Sequence, residues 1–354
     1  MKMNVLASIS VLALSATSPL LAQTLPTVPA ECDGVVGNCS VVDSGGTDNT
    51  VNIEQDGGTG NVSSISQTAA SETNNADALQ RGSGNISAIT QSGNDNFVAG
   101  VSNVFVRQIG DNNRSNFTQG GDGVNRTDIT QTGDGNISDG SQGGAQADGN
   151  EITLIQTGDL NSSTIVQGPG VSDDNIARVE QIGNSNESTV RQNIVGIAGG
   201  NNADVRQDGT SNISAVLQDE DDSIATIRQT GSSNNSNVEQ NRRFVSTGQN
   251  TATITQNGAS NRSFVDQERN LQAASVRQTG ERNDSEIRQS IGNGSDNDAL
   301  LDQIGDDNVS RITQNGTLNL ADVDQFQNGD TSVVTQSGSS HRAIVTQGSL
   351  APNQ

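Results

Sequence analysis

The stretch "NTATITQNGASNRSFVDQ", residues 250–267, carries the fold in its spacing. Asn250, Ala252, Ile254 and Gln256 occupy alternate places, and Gly258 follows two residues later. Asn261, Ser263, Val265 and Gln267 then repeat the order of amide, small residue, aliphatic, amide. Alternation with period two marks a β-strand with two unlike faces. The intervening places, Thr251, Thr253 and Thr255 in the first half, belong on the water side. Gly258 supplies the positive φ that a tight turn needs. Two strands joined by a turn run in opposite directions, so the aliphatic of one meets the small residue of the other. Ile254 is therefore expected against Ser263, and Ala252 against Val265.

The unit recurs along the chain. Its inward amides include Asn85 and Gln91; Gln108, Asn113 and Gln119; Gln131 and Asn136; Gln156, Asn161 and Gln167; and Gln181, Asn186 and Gln192. They continue as Gln207, Asn212 and Gln218; Gln256, Asn261 and Gln267; Gln278, Asn283 and Gln289; and Gln303, Asn308 and Gln314. One link, Gln-x-Gly-x-x-Asn, has a fixed length; the other varies, from "QDEDDS" at 218–223 to "QNRRFVSTGQN" at 240–250. Fixed and free links in alternation predict two-strand rungs, with a tight turn on one edge and an insertion-tolerant loop on the other. Stacked rungs make an all-β chain, a β-solenoid of about twelve to thirteen rungs, advancing about 4.8 Å each. In such a stack each Asn and Gln can bond to its equivalent above and below, so a structural ladder of amides replaces costly unpaired burial.

Composition agrees with repetition and argues against an ordinary globule. Hydrophobic residues make up 30% of the 354, aromatics 2%, and Trp and Tyr are absent. Wide apolar faces cannot be built from this, but a core two aliphatics wide, repeated many times, can. The formal charge of −23 excludes nucleic acid as a natural partner.

The organisation expected is a signal peptide at 1–22, a flexible acidic leader at 23–49, the solenoid at 50–347 and a short tail at 348–354. Lys2 before the apolar run Val5–Leu14, with Ala22 at the cleavage place, reads as an export signal. No other stretch approaches the length of a membrane span, so no stable membrane insertion is expected. Cys32 and Cys39 are expected to form a possible disulfide in an oxidising compartment, with free thiols as the alternative.

Catalytic chemistry finds no foothold. The one histidine, His341, stands in an Asn place of the repeat. No nucleophile elbow, phosphate loop or ligand cluster accompanies it, so no enzyme activity, metal or cofactor is expected. Asp219 to Asp222 concentrate charge, but the nonapeptide calcium repeat does not recur.

The pattern Gln-x-Gly-x-x-Asn-x-Ser/Ala-x-x-x-Gln resembles the curlin repeat of bacterial curli fibre subunits. The resemblance covers most of Asn52 to Gln347. It implies an extracellular, cell-surface functional amyloid of a Gram-negative bacterium, with roles in biofilm matrix and cell adhesion. It also implies self-association into fibres, other curlin subunits as partners, and an outer-membrane export channel engaged by the leader. A minor nucleating subunit or a non-polymerising secreted adhesin are the alternatives. The sequence departs from the pattern where residues 91–102 break phase, and where Gly140 replaces the aliphatic in "NISDGSQ".

Overall fold

Each seven-residue unit becomes one strand in the computed structural model. It describes residue 26 and residues 28–348, apart from 69–73, 93–101, 122–123, 144–148, 169–173, 194–198, 220, 241–247 and 290–293. The expected signal peptide lies outside the described residues, as do the tail beyond 348 and most of the phase break at 91–102.

The 26 strands, numbered in chain order from β1 (Cys39–Ser44) to β26 (Arg342–Gln347), fall into two sheets of 13. Odd-numbered strands form one sheet and even-numbered strands the other. Each strand from β1 to β24 pairs in parallel with the strand two further along the chain. The register joins like with like. Between β18 (Thr251–Ala259) and β20 (Ala273–Glu281), Ala252 meets Ala274, Ile254 meets Val276, and Gln256 meets Gln278. A slip of one residue would turn every aliphatic outward, so the alternation itself holds the register.

The core is as narrow as the sequence predicts. Ile254 and Val265 are fully buried with Ala252 and Ser263 beside them. The small residue, however, is not interchangeable between sheets. Every odd strand places serine there, from Ser40 and Ser63 to Ser310 and Ser332. The even strands place alanine in most rungs, for example Ala177, Ala203, Ala225 and Ala252. Ser236 Oγ donates to Gln256 Oε1 at 2.8 Å and accepts from Gln229 Nε2 at 3.1 Å, but the equivalent hydroxyls of Ser63, Ser87, Ser115, Ser138, Ser188, Ser214, Ser263 and Ser310 are buried without a partner, so hydrogen bonding does not account for serine along the whole column.

Gly140 has a physical reason. A Cβ built on it would lie 2.9 Å from Cδ2 and Cε2 of Phe117, its register partner one rung earlier. The fully buried Phe117 ring fills the place the missing side chain leaves. In the same rung, the even strand carries the larger Thr127 where most rungs carry alanine.

The tight turn needs its glycine twice over. Gly258 has φ +131°, and a Cβ there would sit 2.0 Å from the carbonyl oxygen of Gly280, in the turn stacked on it. The place before each Asn is also left-handed, which residue type does not betray: Ser260, Arg282, Leu160 and Leu318 all have φ near +57°.

Two expectations require correction. The flexible leader expected at 23–49 is shorter, since β1 begins at Cys39 and the first rung starts inside that span. The strict alternation of fixed and free edges lapses near the C-terminal end. There Gln314–Asn319 and Gln336–His341 repeat the tight link on the edge expected to vary, with Gly316 at φ +128° and Gly338 at +108°. The Cys32–Cys39 disulfide is formed, with a Cα–Cα distance of 5.7 Å.

Candidate functional site: amide columns and open ends

Each turn and each alternation places four amides inside a rung, and stacking turns them into columns. All of the ladder residues named from sequence, from Asn85 and Gln91 to Asn308 and Gln314, are at most 3% exposed. In the even sheet the glutamines form one unbroken chain from Gln55 to Gln347, each Nε2 donating to the next Oε1 at 2.8–3.0 Å. The odd sheet does the same from Gln67 to Gln336, at 2.9–3.2 Å. Both columns donate toward the C-terminal end. The second Nε2 hydrogen crosses to the opposite sheet, as from Gln267 to the Thr251 carbonyl at 3.0 Å. The columns therefore stitch rung to rung and sheet to sheet.

The asparagines at the tight edge run the other way. The backbone N and Nδ2 of Asn261 both donate to Asn234 Oδ1 of the preceding rung, at 3.1 Å each. The remaining Nδ2 hydrogen reaches the Gly280 carbonyl in the next turn at 2.8 Å. Each such amide is satisfied from both directions, which removes the burial penalty.

A second asparagine column lines the looped edge, and of it sequence reasoning had picked out only Asn250 and the place held by His341. Asn175 Nδ2 donates to Asn150 Oδ1 at 2.9 Å, and Asn319 to Asn297 at 2.9 Å. Ser223 and Gln272 take places in that column, which hid it behind the variable links. The signal available was the phase: each member stands six residues before a ladder glutamine.

The last rung breaks both asparagine columns. The turn "QFQNGD" at 325–330 lacks glycine in its third place and ends in Asp330. Asp330 N still donates to Asn308 Oδ1 at 2.9 Å, but Asn308 Nδ2 and Asp330 Oδ2 are buried without partners. His341 takes the other Asn place: its backbone N donates to Asn319 Oδ1 at 3.0 Å, and its Nε2 lies 2.8 Å from the Ser337 carbonyl. That is a ladder position.

The outward faces carry charge in cross-rung pairs. Arg277 clasps Asp302 at 2.6 and 3.0 Å, and Arg282 clasps Asp307 at 2.7 and 2.9 Å. The Arg282 guanidinium holds the Asp307 carboxyl below its ordinary range. Burial, then the nearby charge of Asp322, pushes the carboxyls of Asp298 and Asp324 up. Among the described residues, no group of three or more His, Cys, Asp or Glu is placed to hold a metal ion, and no helix is long and apolar enough to cross a membrane.

The two ends are unfinished. Strands β1 and β2 (Thr50–Asp56) bound one end of the sheets, and β25 (Thr331–Ser339) and β26 bound the other, each paired on one side only. Val42 faces inward from β1 yet is 49% exposed, while Ile65 stacked on it is 1% exposed. At the far end Gln347 Nε2 donates to the Thr331 carbonyl at 2.9 Å, and among the described residues no further rung lies beyond it.

Residues 294–326 match the family model of the curlin associated repeat. They span β22 (Asp298–Ile304), β23 (Val309–Thr317) and β24 (Leu320–Gln325), where both edges are tight. No curated protein matches the chain.

Proposed function

We propose that this chain, which carries curlin repeats, is a structural subunit of an extracellular curli-like amyloid fibre that contributes to biofilm matrix and cell adhesion. The observation that carries the reading is the pair of open, complementary ends. The Gln columns reach one end as donors, through Gln347, and leave Gln55 Oε1 near the other as an acceptor. A second copy added head to tail continues both sheets, both aliphatic columns and the even-sheet glutamine column through the same bonds that hold one rung to the next. Exposed strand edges of this kind recruit another chain unless they are blocked. Ends joined head to head would set acceptor against acceptor. Export across the envelope, and passage through a dedicated channel, belong to the same reading by family resemblance.

The test is assembly of the purified protein without its signal segment. Thioflavin fluorescence and sedimentation should rise together, and preformed fragments should abolish the lag. A chain that stays monomeric, seeded or unseeded, would refute the reading. A monomer that nevertheless seeds another curlin would assign it the nucleating role instead.

A further inference from the structure

We infer that the Cys32–Cys39 disulfide arms the N-terminal joining face, so that end-to-end addition of a second copy depends on the oxidation state of this pair. The inference rests on the fibre reading and goes beyond it to the control of the joint.

Four observations carry it. Strand β1 is the weakest member of its sheet. It pairs on one side only, its inward Val42 is half exposed, and its last inward place holds Ser44 where later rungs have glutamine. Second, the disulfide is fastened to its first residue, Cys39. Third, Asn38 stands inside the closed loop and begins the tight-edge asparagine column: its Oδ1 accepts from the backbone N and Nδ2 of Asn61, both at 3.2 Å. Fourth, the loop is folded rather than loose. A single 3-10 turn, Ala30–Cys32, precedes it, and Cys32 is buried, as is Val62, the outward neighbour of Cys39 across the sheet.

Among the described residues, no strand pairs with β1 on its axial edge. Cys39 projects outward from the sheet, so the loop is anchored on its outer face and not across the end of the stack. The clamp therefore holds β1 in place without capping it. Ser40, Val42 and Ser44 stay in line to receive Ser332, Val334 and Gln336 of an incoming copy, since these are the same register places one subunit apart. A joint onto an ordered strand avoids the ordering cost that a frayed one imposes.

Oxidation joins the two sulfurs, and two electrons and two protons pass to a disulfide-bearing oxidant, which leaves as a dithiol. In a reducing compartment the pair stays open, β1 frays, and the joining face is incomplete. Because every head-to-tail joint uses one N-terminal face, reduction weakens all joints rather than one end of the fibre.

The experiment compares the oxidised protein, the same protein held in dithiothreitol, and the Cys32→Ser/Cys39→Ser variant. Each is added at equal concentration to fragments of oxidised fibre. Sustained elongation should fall by roughly tenfold or more in both cysteine-open forms, the scale expected when a short loop closure is lost. Hydrogen exchange on the monomers should show residues 39–44 losing protection while β10 (Glu151–Thr157) and later strands keep theirs. Equal elongation by the variant and the oxidised protein would overturn the clamp and leave the fibre reading standing. Failure of the oxidised protein to elongate would refute the fibre reading, and the clamp with it.

Discussion

Replacing Gln256 by methionine keeps the length of the side chain and removes its amide. The native amide takes part in four bonds: it donates to Gln278 Oε1 at 2.8 Å and to the Asn235 carbonyl at 3.2 Å, and accepts from Gln229 Nε2 at 3.0 Å and Ser236 Oγ at 2.8 Å. Gln229 keeps the Ile213 carbonyl, and Ser236 keeps Gln229, so these two are partly compensated. Gln278 Oε1 loses a donor at a fully buried site, and the Asn235 carbonyl loses one at a part-buried site. At about 1–3 kcal/mol for each of the two groups, less about 1 kcal/mol for the added apolar burial, the net loss is about 1–5 kcal/mol. Thr255→Met, one place along and on the outer face, should change stability by less than about 0.5 kcal/mol. A solenoid can open locally, so a single global melting curve is the wrong probe. Amide exchange across β18 and β20 is the assay, with the distant β10 as internal reference. If Gln256→Met and Thr255→Met raise exchange equally, the glutamine columns do not hold the rungs together, and the structural role assigned to them is wrong.

Three further expectations concern packing, turns and charge. Gly140→Val should cost about 1–3 kcal/mol through overpacking against Phe117, and Phe117→Ile in the same chain should recover much of it; a double-mutant cycle without coupling would contradict the paired-volume explanation. Gly258→Ala should be more damaging than Gly329→Ala, because a Cβ at 258 meets the Gly280 carbonyl whereas one at 329 meets nothing within 4 Å; thermal or exchange measurements giving the reverse order would refute stacked-turn crowding. Burial first, and Asp322 second, raise the folded-state carboxyls of Asp298 and Asp324 above their ordinary value of 3.8. The folded form then binds these protons more tightly, and stability falls as pH rises through the window above 3.8. Asp322→Asn should accordingly stabilise β22 and β24 at neutral pH, with the gain shrinking as pH approaches that value; a pH-independent effect would point to a cause other than charge.

The rung and its inward face were legible because burial of so little apolar surface leaves no freedom in phase. A core two aliphatics wide works only when Ile254 and its equivalents recur at one place in every strand. The amide columns were legible for the same reason, since Gln256 and Asn261 keep that phase where surface residues would drift. The second asparagine column was obscured because the edge it lines tolerates insertions, so Asn175 stands eight residues after Gln167 whereas Asn250 stands ten after Gln240. The left-handed places at Ser260 and Leu318 were hidden because the turn enforces that conformation on whatever residue stands there. The division of serine and alanine between sheets was present in the sequence; Ser236, bonded to Gln229 and Gln256, gives it a role in one rung, while most of the equivalent serine hydroxyls are buried without a partner. The start of the first rung at Cys39 was masked by Ser44, which stands where a glutamine would have announced the repeat.

Cryo-electron microscopy of fibres grown from the protein tests the central claim most directly. Head-to-tail joining of solenoids predicts that the spacing of about 4.8 Å runs unbroken through each joint. Both 13-stranded sheets should continue from one subunit into the next, with a subunit repeat of about 62 Å along the axis. The joint itself should show Val334 stacked on Val42, and Gln347 on Gln55, of the following copy. Fibres whose subunits meet side by side, with the strand edges of β1, β2, β25 and β26 facing water, would contradict the account.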